Sequence, residues 1–309
     1  MSATAPTANR TDVAFDSQGT RCRAWLYRPI QAASPSPCVV MAHGFGATRD
    51  ASLEPYAAGF AAAGMAALVF DYRHFGASDG EPRQLVAAGR QLQDYSAAIA
   101  CARTLDAIDA SRVAVWGTSF AGGHALVTAA RVPGLAAAVC QCPLMDGLAA
   151  VRRIASYAGI GQLLRLTAHG LVDLAMAPFG GAHYIPIVGH PGDLAMMTSP
   201  DAYDGYRALV PPGFRFEVAA RIALSAGFYR PVGEAARAQC PVLVQICTKD
   251  SVAPVPAAEE AVRRLGARGE VRRYDIGHFE PYFGAHFERS LADQVEFLTR
   301  HFRLEQPAA

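Results

Sequence analysis

The sequence of 309 residues predicts an α/β fold built around a mostly parallel sheet. Short apolar runs alternate with longer Ala-rich runs up to about residue 143, and again from about residue 238. Short, fully apolar runs are typical of parallel strands, because helices cover such strands on both faces. Hydrophobic residues make up 51% of the chain, so one large core with an insertion is expected.

Apolar runs indicate the individual elements of this alternating pattern. We predict buried strands at 38–42, 66–71, 113–117, 136–142, 241–247 and 271–275. We predict helices at 84–105, 121–131, 255–266 and 286–302.

The middle of the chain, residues 146–236, interrupts this alternation. It contains a Pro- and Gly-rich loop at 184–192, which indicates irregular structure. Helix-like runs occur at 147–157, 160–177 and 214–228. We therefore expect a segment of different architecture between two parts of one sheet.

The stretch Gly117-Thr118-Ser119-Phe120-Ala121 lies between a predicted strand and a predicted helix. A serine on such a sharp turn has its Oγ lifted clear of the sheet, and the tight turn requires small neighbours. The helix that follows provides free N–H groups near a developing oxyanion. The pattern departs from G-x-S-x-G at its fifth position, where alanine is still small. Ser119 is therefore a candidate nucleophile.

Three more fragments support this interpretation, and each follows a predicted strand. His43-Gly44-Phe45-Gly46 provides glycines where bare backbone must approach a substrate carbonyl. Asp250 follows the strand that ends at Cys247, and His278 follows the strand after it. The resulting chain order of serine, acid and histidine differs from the orders in chymotrypsin and subtilisin.

With these motifs, nearly the whole chain resembles the α/β-hydrolase superfamily. Residues 15–27 are similar to the opening hairpin of that family, with a turn at Gln18-Gly19. The segments 117–124 and 141–144 are similar to those of bacterial dienelactone-hydrolase-like and Xaa-Pro-peptidase-like esterases. The resemblance implies a mostly parallel, eight-stranded sheet flanked by helices, with a helical cap inserted after the sixth strand. Residues 1–145 and 237–309 would form the core, and residues 146–236 the cap.

The resemblance also implies a role for each candidate residue. Ser119 would be the nucleophile, His278 the general base and Asp250 the acid that orients the histidine. The backbone N–H groups of Phe45 and Phe120 would form the oxyanion hole. Asp146 remains an alternative to Asp250, since some hydrolases place the acid after the sixth strand.

This arrangement predicts a serine hydrolase that cleaves a carboxylic ester or thioester of a small to medium, largely apolar substrate through an acyl-enzyme. A peptidase or amidase with the same triad is the first alternative. The expected cap shows no cluster of acids for a free α-amino group, which favours the ester. A non-catalytic ligand-binding protein is the second alternative, but such proteins usually lack a triad member.

Composition limits the kinds of partner and the cellular location that we expect for this protein. The 28 basic and 27 acidic residues are balanced, which gives no indication of nucleic-acid or anionic-membrane partners. The first ten residues are polar and lack the apolar core of a signal peptide. Seven cysteines in mostly apolar surroundings favour free thiols in the cytoplasm. We expect no metal and no cofactor, a small-molecule ester as partner, and no membrane association, with a homodimer left open.

Overall fold

The structure, a computed structural model, describes residues 8–30 and 35–304. Of the polar N-terminal segment that predicts the absence of a signal peptide, residues 1–7 lie outside the described residues. Residues 31–34 and 305–309, part of the predicted core, lie outside them as well. Among the described residues, no helix has both the length and the apolar composition needed to cross a membrane.

An eight-stranded sheet forms the centre of the described part of the molecule. It has the order β1-β2-β4-β3-β5-β6-β9-β10. Its strands are β1 (Ala8–Ser17), β2 (Thr20–Pro29), β3 (Ser36–Ala42), β4 (Ala66–Phe70), β5 (Ile108–Thr118), β6 (Ala138–Gln141), β9 (Val242–Cys247) and β10 (Gly269–Tyr274). The β1–β2 and β2–β4 pairs are antiparallel, and the other five pairs are parallel. The predicted turn at Gln18-Gly19 joins β1 and β2, and both of its residues have a positive φ.

Helices cover both faces of this sheet. They are α1 (Glu54–Ala62), α2 (Ala88–Ala102), α3 (Phe120–Arg131), α6 (Val255–Leu265) and α7 (Gly284–Phe302). On one face, α2, α3 and α6 pack on inward residues such as Val40 and Val115. On the other face, α1 and α7 pack on residues such as Val39 and Trp116. Strand β3 is buried along its whole length, which explains its uninterrupted apolar sequence.

The predicted interrupting segment lies between β6 and β9, which are neighbours in the sheet. Their register pairs Ala138 with Val242, so the chain leaves the sheet and returns beside its point of departure. Between them come α4 (Gly147–Met176), β7 (Tyr184–Pro186), α5 (Ala202–Leu209) and β8 (Glu217–Ala219). Helix α4 is broken at Gly159, where φ is 78° and ψ is 169°. The two runs predicted at 147–157 and 160–177 therefore meet at this glycine.

The prediction of a helix at 214–228 is wrong. Residues Glu217–Ala219 form β8, which pairs antiparallel with β7, and two short 3-10 turns follow it. The backbone amide and guanidinium of Arg221 both donate to the carboxylate of Asp173 on α4. These contacts to residues far away in the sequence compete with helical hydrogen bonds, and an apolar pattern cannot reveal them.

Candidate active site

The candidate nucleophile Ser119 lies on the turn between β5 and α3. Its backbone has φ 55° and ψ −119°, a conformation that residues other than glycine rarely adopt. Two hydrogen bonds hold it there: its N–H donates to the carbonyl of Gln141 (2.9 Å), and its carbonyl accepts from the N–H of Leu144 (2.8 Å). The turn is therefore strained and fixed from both sides.

Gly117 shows why the turn needs small residues. A Cβ at this position would lie 2.0 Å from the carbonyl oxygen of Ala121, so no larger residue fits without a backbone shift. A Cβ on Gly122 would lie 2.7 Å from Cβ of Pro143. Ala121, which stands where the usual motif has glycine, is fully buried in the core. Close packing of helix on strand thus continues beyond the five-residue motif.

The structure brings the three predicted side chains into one row of contacts. His278 Nε2 lies 3.0 Å from Ser119 Oγ, and His278 Nδ1 lies 2.6 Å from Asp250 Oδ2. Oδ1 of Asp250 accepts from the N–H groups of Val252 and Ala253, at 2.8 and 2.6 Å, which fixes the carboxylate. Ser119, Asp250 and His278 follow β5, β9 and β10, and the carboxyl ends of these parallel strands meet at one edge of the sheet.

The environment of His278 stabilises its charged form. Burial is the largest single influence and disfavours the imidazolium. The charge and hydrogen bond of Asp250, together with the smaller effects of Cys142 and Asp201, outweigh it and raise the pKa of His278 to about 9. The carboxylate also fixes the tautomer, because Nδ1–H donates to it and leaves Nε2 to face the serine hydroxyl. Such a histidine can take a proton from Ser119 and hold the resulting charge.

The backbone amides of Phe45 and Phe120 are the predicted donors of the oxyanion hole. Phe120 is the first residue of α3, so its N–H has no acceptor within the helix. The carbonyl of Gly44 accepts from His43 Nδ1 (3.1 Å) and from the N–H of Ala47 (3.4 Å). Because a trans peptide is planar, these bonds turn the N–H of Phe45 in the opposite direction. The rings of Phe45 and Phe120 make an edge contact, with centroids 5.6 Å apart.

The sequence and fold are similar to those of several known proteins. The family model for X-Pro dipeptidyl-peptidase (S15 family) matches residues 18–163. The quorum-quenching protein AidA of Acinetobacter baumannii (strain MDR-ZJ06) is 44% identical over 294 residues, which are 94% of each chain. The thiohydrolase apmlB of Arthrinium phaeospermum is 37% identical over 125 residues, 40% of each chain. The solved structure of the α/β hydrolase GrgF from Penicillium sp. sh18 superposes with a TM-score of 0.78 at 25% identity, and it covers 96% of this chain and 100% of its own.

The chain belongs to the α/β-hydrolase superfamily. Its eight-stranded, mostly parallel sheet with flanking helices confirms the predicted fold. The protein is accordingly a hydrolase, in line with the named thiohydrolase and α/β hydrolase among its relatives.

Asp146 of this hydrolase, the alternative acid, makes other contacts. It is the N-cap of α4, where its Oδ1 accepts from the N–H groups of Leu148 (2.9 Å) and Ala149 (3.1 Å). The guanidinium of Arg230 donates to both of its oxygens. In this structure the carboxylate beside His278 is that of Asp250.

Two cavities of the hydrolase meet at Ser119. The larger one, of about 240 Å³, extends under α4 and is lined mostly by apolar side chains. The smaller one, of about 30 Å³, is lined by His278 as well as by Ser119. Both cavities share Phe45, Ser119 and Met197. Ser119 thus lies between a large apolar space and a small one beside His278.

A buried polar network behind Ser119, Asp250 and His278 was not identified from the sequence. The hydroxyl of Tyr282, four residues after His278, contacts the hydroxyl of Thr118, directly before the nucleophile. Tyr56 donates to the carbonyl of Pro281 at 2.6 Å and so fixes the histidine loop from the other side. The signal available in the sequence was the presence of glutamine in fully buried strands. Gln141 on β6 and Gln245 on β9 both accept from the side chain of Gln294 on α7.

The remaining histidines near the site are neutral packing residues. Burial lowers the pKa of His124 to about 3, and its ring contacts Tyr229 and Gln91. Burial likewise lowers the pKa of His43 to about 4, and its Nδ1–H donates to the oxyanion-loop carbonyl described above. Over residues 8–30 and 35–304, no group of three or more His, Cys, Asp and Glu side chains is arranged to hold a metal ion.

Proposed function

We propose that this hydrolase cleaves a carboxylic ester or thioester of a largely apolar acyl group through a covalent acyl-enzyme. One observation carries the proposal: the hydroxyl, imidazole and carboxylate of Ser119, His278 and Asp250 form one row of contacts that opens into an apolar cavity. This geometry matches that of an activated serine nucleophile.

The proposed reaction has two halves. His278 takes the proton of Ser119 as Oγ attacks the substrate carbonyl, and the N–H groups of Phe45 and Phe120 stabilise the oxyanion. His278 then donates that proton to the leaving alcohol or thiol, and the acyl-enzyme remains. Water, deprotonated by the same imidazole, releases the acid and restores Ser119. Asp250 keeps its charge throughout and stabilises the imidazolium.

We assign the two halves of the proposed substrate to the two cavities. The leaving group must lie beside the imidazole that protonates it, and His278 lines the small cavity. The acyl group then occupies the large cavity, whose lining includes Leu163, Leu166 and Met196. We therefore expect a long acyl chain to be favoured together with a small alcohol, or with a leaving group that extends into solvent.

We further propose that residues 146–236 act as a cap over this site. Helix α4 provides much of the wall of the large cavity from both sides of Gly159, with Tyr157 on one side and Leu163 on the other.

We also propose that the protein is cytoplasmic. The seven cysteines are free and all but Cys101 are buried, which supports this location.

A peptidase is the second candidate, because the matching family model describes an X-Pro dipeptidyl-peptidase. A peptide with a free α-amino group would need a carboxylate near the nucleophile. Among the described residues that line the large cavity, the charged side chain is the cation Arg153. The charge of the site therefore favours the ester over the dipeptide.

The test is hydrolysis of p-nitrophenyl esters from acetate to palmitate by the wild type and by Ser119→Ala. We expect an optimum above acetate, and a loss of at least about 10³-fold in kcat for the variant. An alanyl-prolyl-p-nitroanilide serves as the peptidase control. Ester turnover that survives Ser119→Ala in a folded protein would contradict the proposal, and faster cleavage of the anilide would favour the second candidate.

A further inference from the structure

Arg153 stands apart among the residues that line the large cavity. This arginine lies on α4, is half-buried, and shares the cavity wall with the nucleophile Ser119. Its neighbours in that wall are mostly apolar, including Ile154, Val252 and Ala253. A permanent positive charge in an apolar cavity is unfavourable unless it binds a partner.

The contacts of Arg153 leave most of its donors free. Its Nε donates to the carbonyl of Ser251 at 2.8 Å, which ties α4 to the loop after Asp250 and fixes the plane of the guanidinium. Both Nη groups are without a hydrogen-bond partner within residues 8–30 and 35–304. A guanidinium oriented in this way presents two parallel N–H groups, the geometry that binds a carboxylate.

A neighbouring acid does not neutralise this charge. Asp201 lies beside Ser251, but its Oδ1 accepts from the hydroxyls of Ser199 (3.0 Å) and Ser251. Two arginines that contact α4 from neighbouring segments are paired, since Arg221 binds Asp173 and Arg230 binds Asp146. Arg153 thus differs from them in lacking a carboxylate and in facing the substrate cavity.

We propose that Arg153 is a specificity-determining residue that binds a carboxylate carried by the substrate's acyl group. The inference rests on the proposed function, because the large cavity is the one assigned there to the acyl half. The preferred substrate class would be half-esters or half-thioesters of dicarboxylic acids. Their chain would fill the apolar wall, and their free carboxylate would meet the guanidinium.

The test uses the mono-p-nitrophenyl esters of glutaric, adipic and suberic acid. Each is compared with the p-nitrophenyl ester of the fatty acid that has the same number of carbons. We expect the wild type to favour the carboxylate at one chain length, and Arg153→Met to lower kcat/KM for that ester about 10- to 100-fold, mainly through KM. The neutral ester should change less than about threefold. Arg153→Lys should restore part of the preference, since it keeps the charge but loses the fork.

Arg152→Met is the matched control, because Arg152 is the exposed neighbour on the same helix and does not line the cavity. An equal loss on both esters in Arg153→Met would overturn the proposal, since it would mean that the arginine merely holds the Asp250 loop. No loss on either ester would overturn it as well.

If the wild type cleaves neither ester, the proposed function fails separately. Calorimetric binding of adipate and hexanoate to the wild type and to Arg153→Met then still tests the site. Tighter binding of adipate that disappears in Arg153→Met would support the carboxylate site, and equal binding of both acids would overturn it.

Discussion

His278 is the residue whose protonation should set the pH dependence of the hydrolase. In the proposed mechanism it acts as the general base and must be neutral, whereas the charge of Asp250 favours the protonated imidazole against the effect of burial. Activity should therefore be low in acid and rise as the pH approaches the raised pKa of about 9. The measurement is kcat/KM for a neutral ester between pH 6 and 10, corrected for spontaneous hydrolysis.

Asp250→Asn provides the control for this profile. Removing the negative charge leaves burial as the dominant influence, so the midpoint of the profile should move to lower pH while kcat falls because the tautomer is no longer fixed. A midpoint that stays in place would show that Asp250 does not set the pKa of His278.

Asp146 offers a second test at the residue scale. Asp146→Ala removes the N-cap of α4 and should lower the free energy of unfolding by about 0.5–2 kcal/mol. Acetate-ester activity should stay within a few-fold of the wild type, because the carboxylate beside His278 belongs to Asp250. Urea unfolding and initial rates measure the two effects.

Asp146→Asn is the matched variant, since asparagine also caps helices but cannot pair with Arg230 as an anion. It should recover most of the stability that Asp146→Ala loses. A collapse of kcat in Asp146→Ala, with activity retained in Asp250→Ala, would instead make Asp146 the triad acid.

The sequence was sufficient to identify Ser119, Asp250 and His278 as candidates, because each follows a recognisable strand in a characteristic order. It could not identify Arg153 or Tyr282. Arg153 contacts Ser251, about 100 positions away in the chain, and Tyr282 contacts Thr118, which is 164 positions away. Pairs so far apart leave no periodic signal in a single sequence.

At the scale of elements, the turn between β5 and α3 depends on the absence of a side chain at residue 117. Gly117→Ala would place Cβ against the backbone of Ala121. We expect a loss of about 3 kcal/mol in unfolding free energy, together with a large fall in kcat as Ser119 moves. Thermal unfolding and ester kinetics on the same preparation measure both effects.

Gly89→Ala is its matched control on α2. A Cβ there meets no atom within 4 Å, and the residue is not in the left-handed region, so alanine should be neutral or stabilise by about 0.5–1 kcal/mol. If Gly117→Ala behaved like this control, the close approach of residue 117 to the backbone of Ala121 would have no energetic consequence.

Elements also show where prediction from the sequence fails. The buried strands were recognisable because apolar runs such as β4 and residues 38–42 of β3 have few alternatives in an α/β fold. The predicted helix at 214–228 was wrong because β8 gains its hydrogen bonds from β7, about 30 residues earlier. Apolar content alone does not distinguish such a strand from a helix.

At the scale of the whole molecule, Gly159 joins the two halves of α4 that line the large cavity. Its φ and ψ lie in a region that is open almost exclusively to glycine. Gly159→Ala should therefore reduce stability by about 1–3 kcal/mol and change the relative position of the two halves of α4. We expect KM for long-chain esters to rise while kcat for acetate stays close to that of the wild type.

Gly161→Ala, two residues along the same helix, is the control. It also has open space around the added Cβ but lacks a positive φ, so neither KM nor stability should deteriorate. Equal effects of the two substitutions would mean that the break in α4 does not shape the cavity.

The pairing of β6 with β9 has a consequence for how such an enzyme can diversify. About 100 residues separate these neighbouring strands, so the ends of the intervening segment are held one strand spacing apart by the sheet itself. The entropy of closing a loop grows only with the logarithm of its length, and doubling this segment would add about 0.6 kcal/mol to that term. Insertions and deletions there can therefore accumulate with little effect on the sheet, so the substrate range can evolve faster than the chemistry.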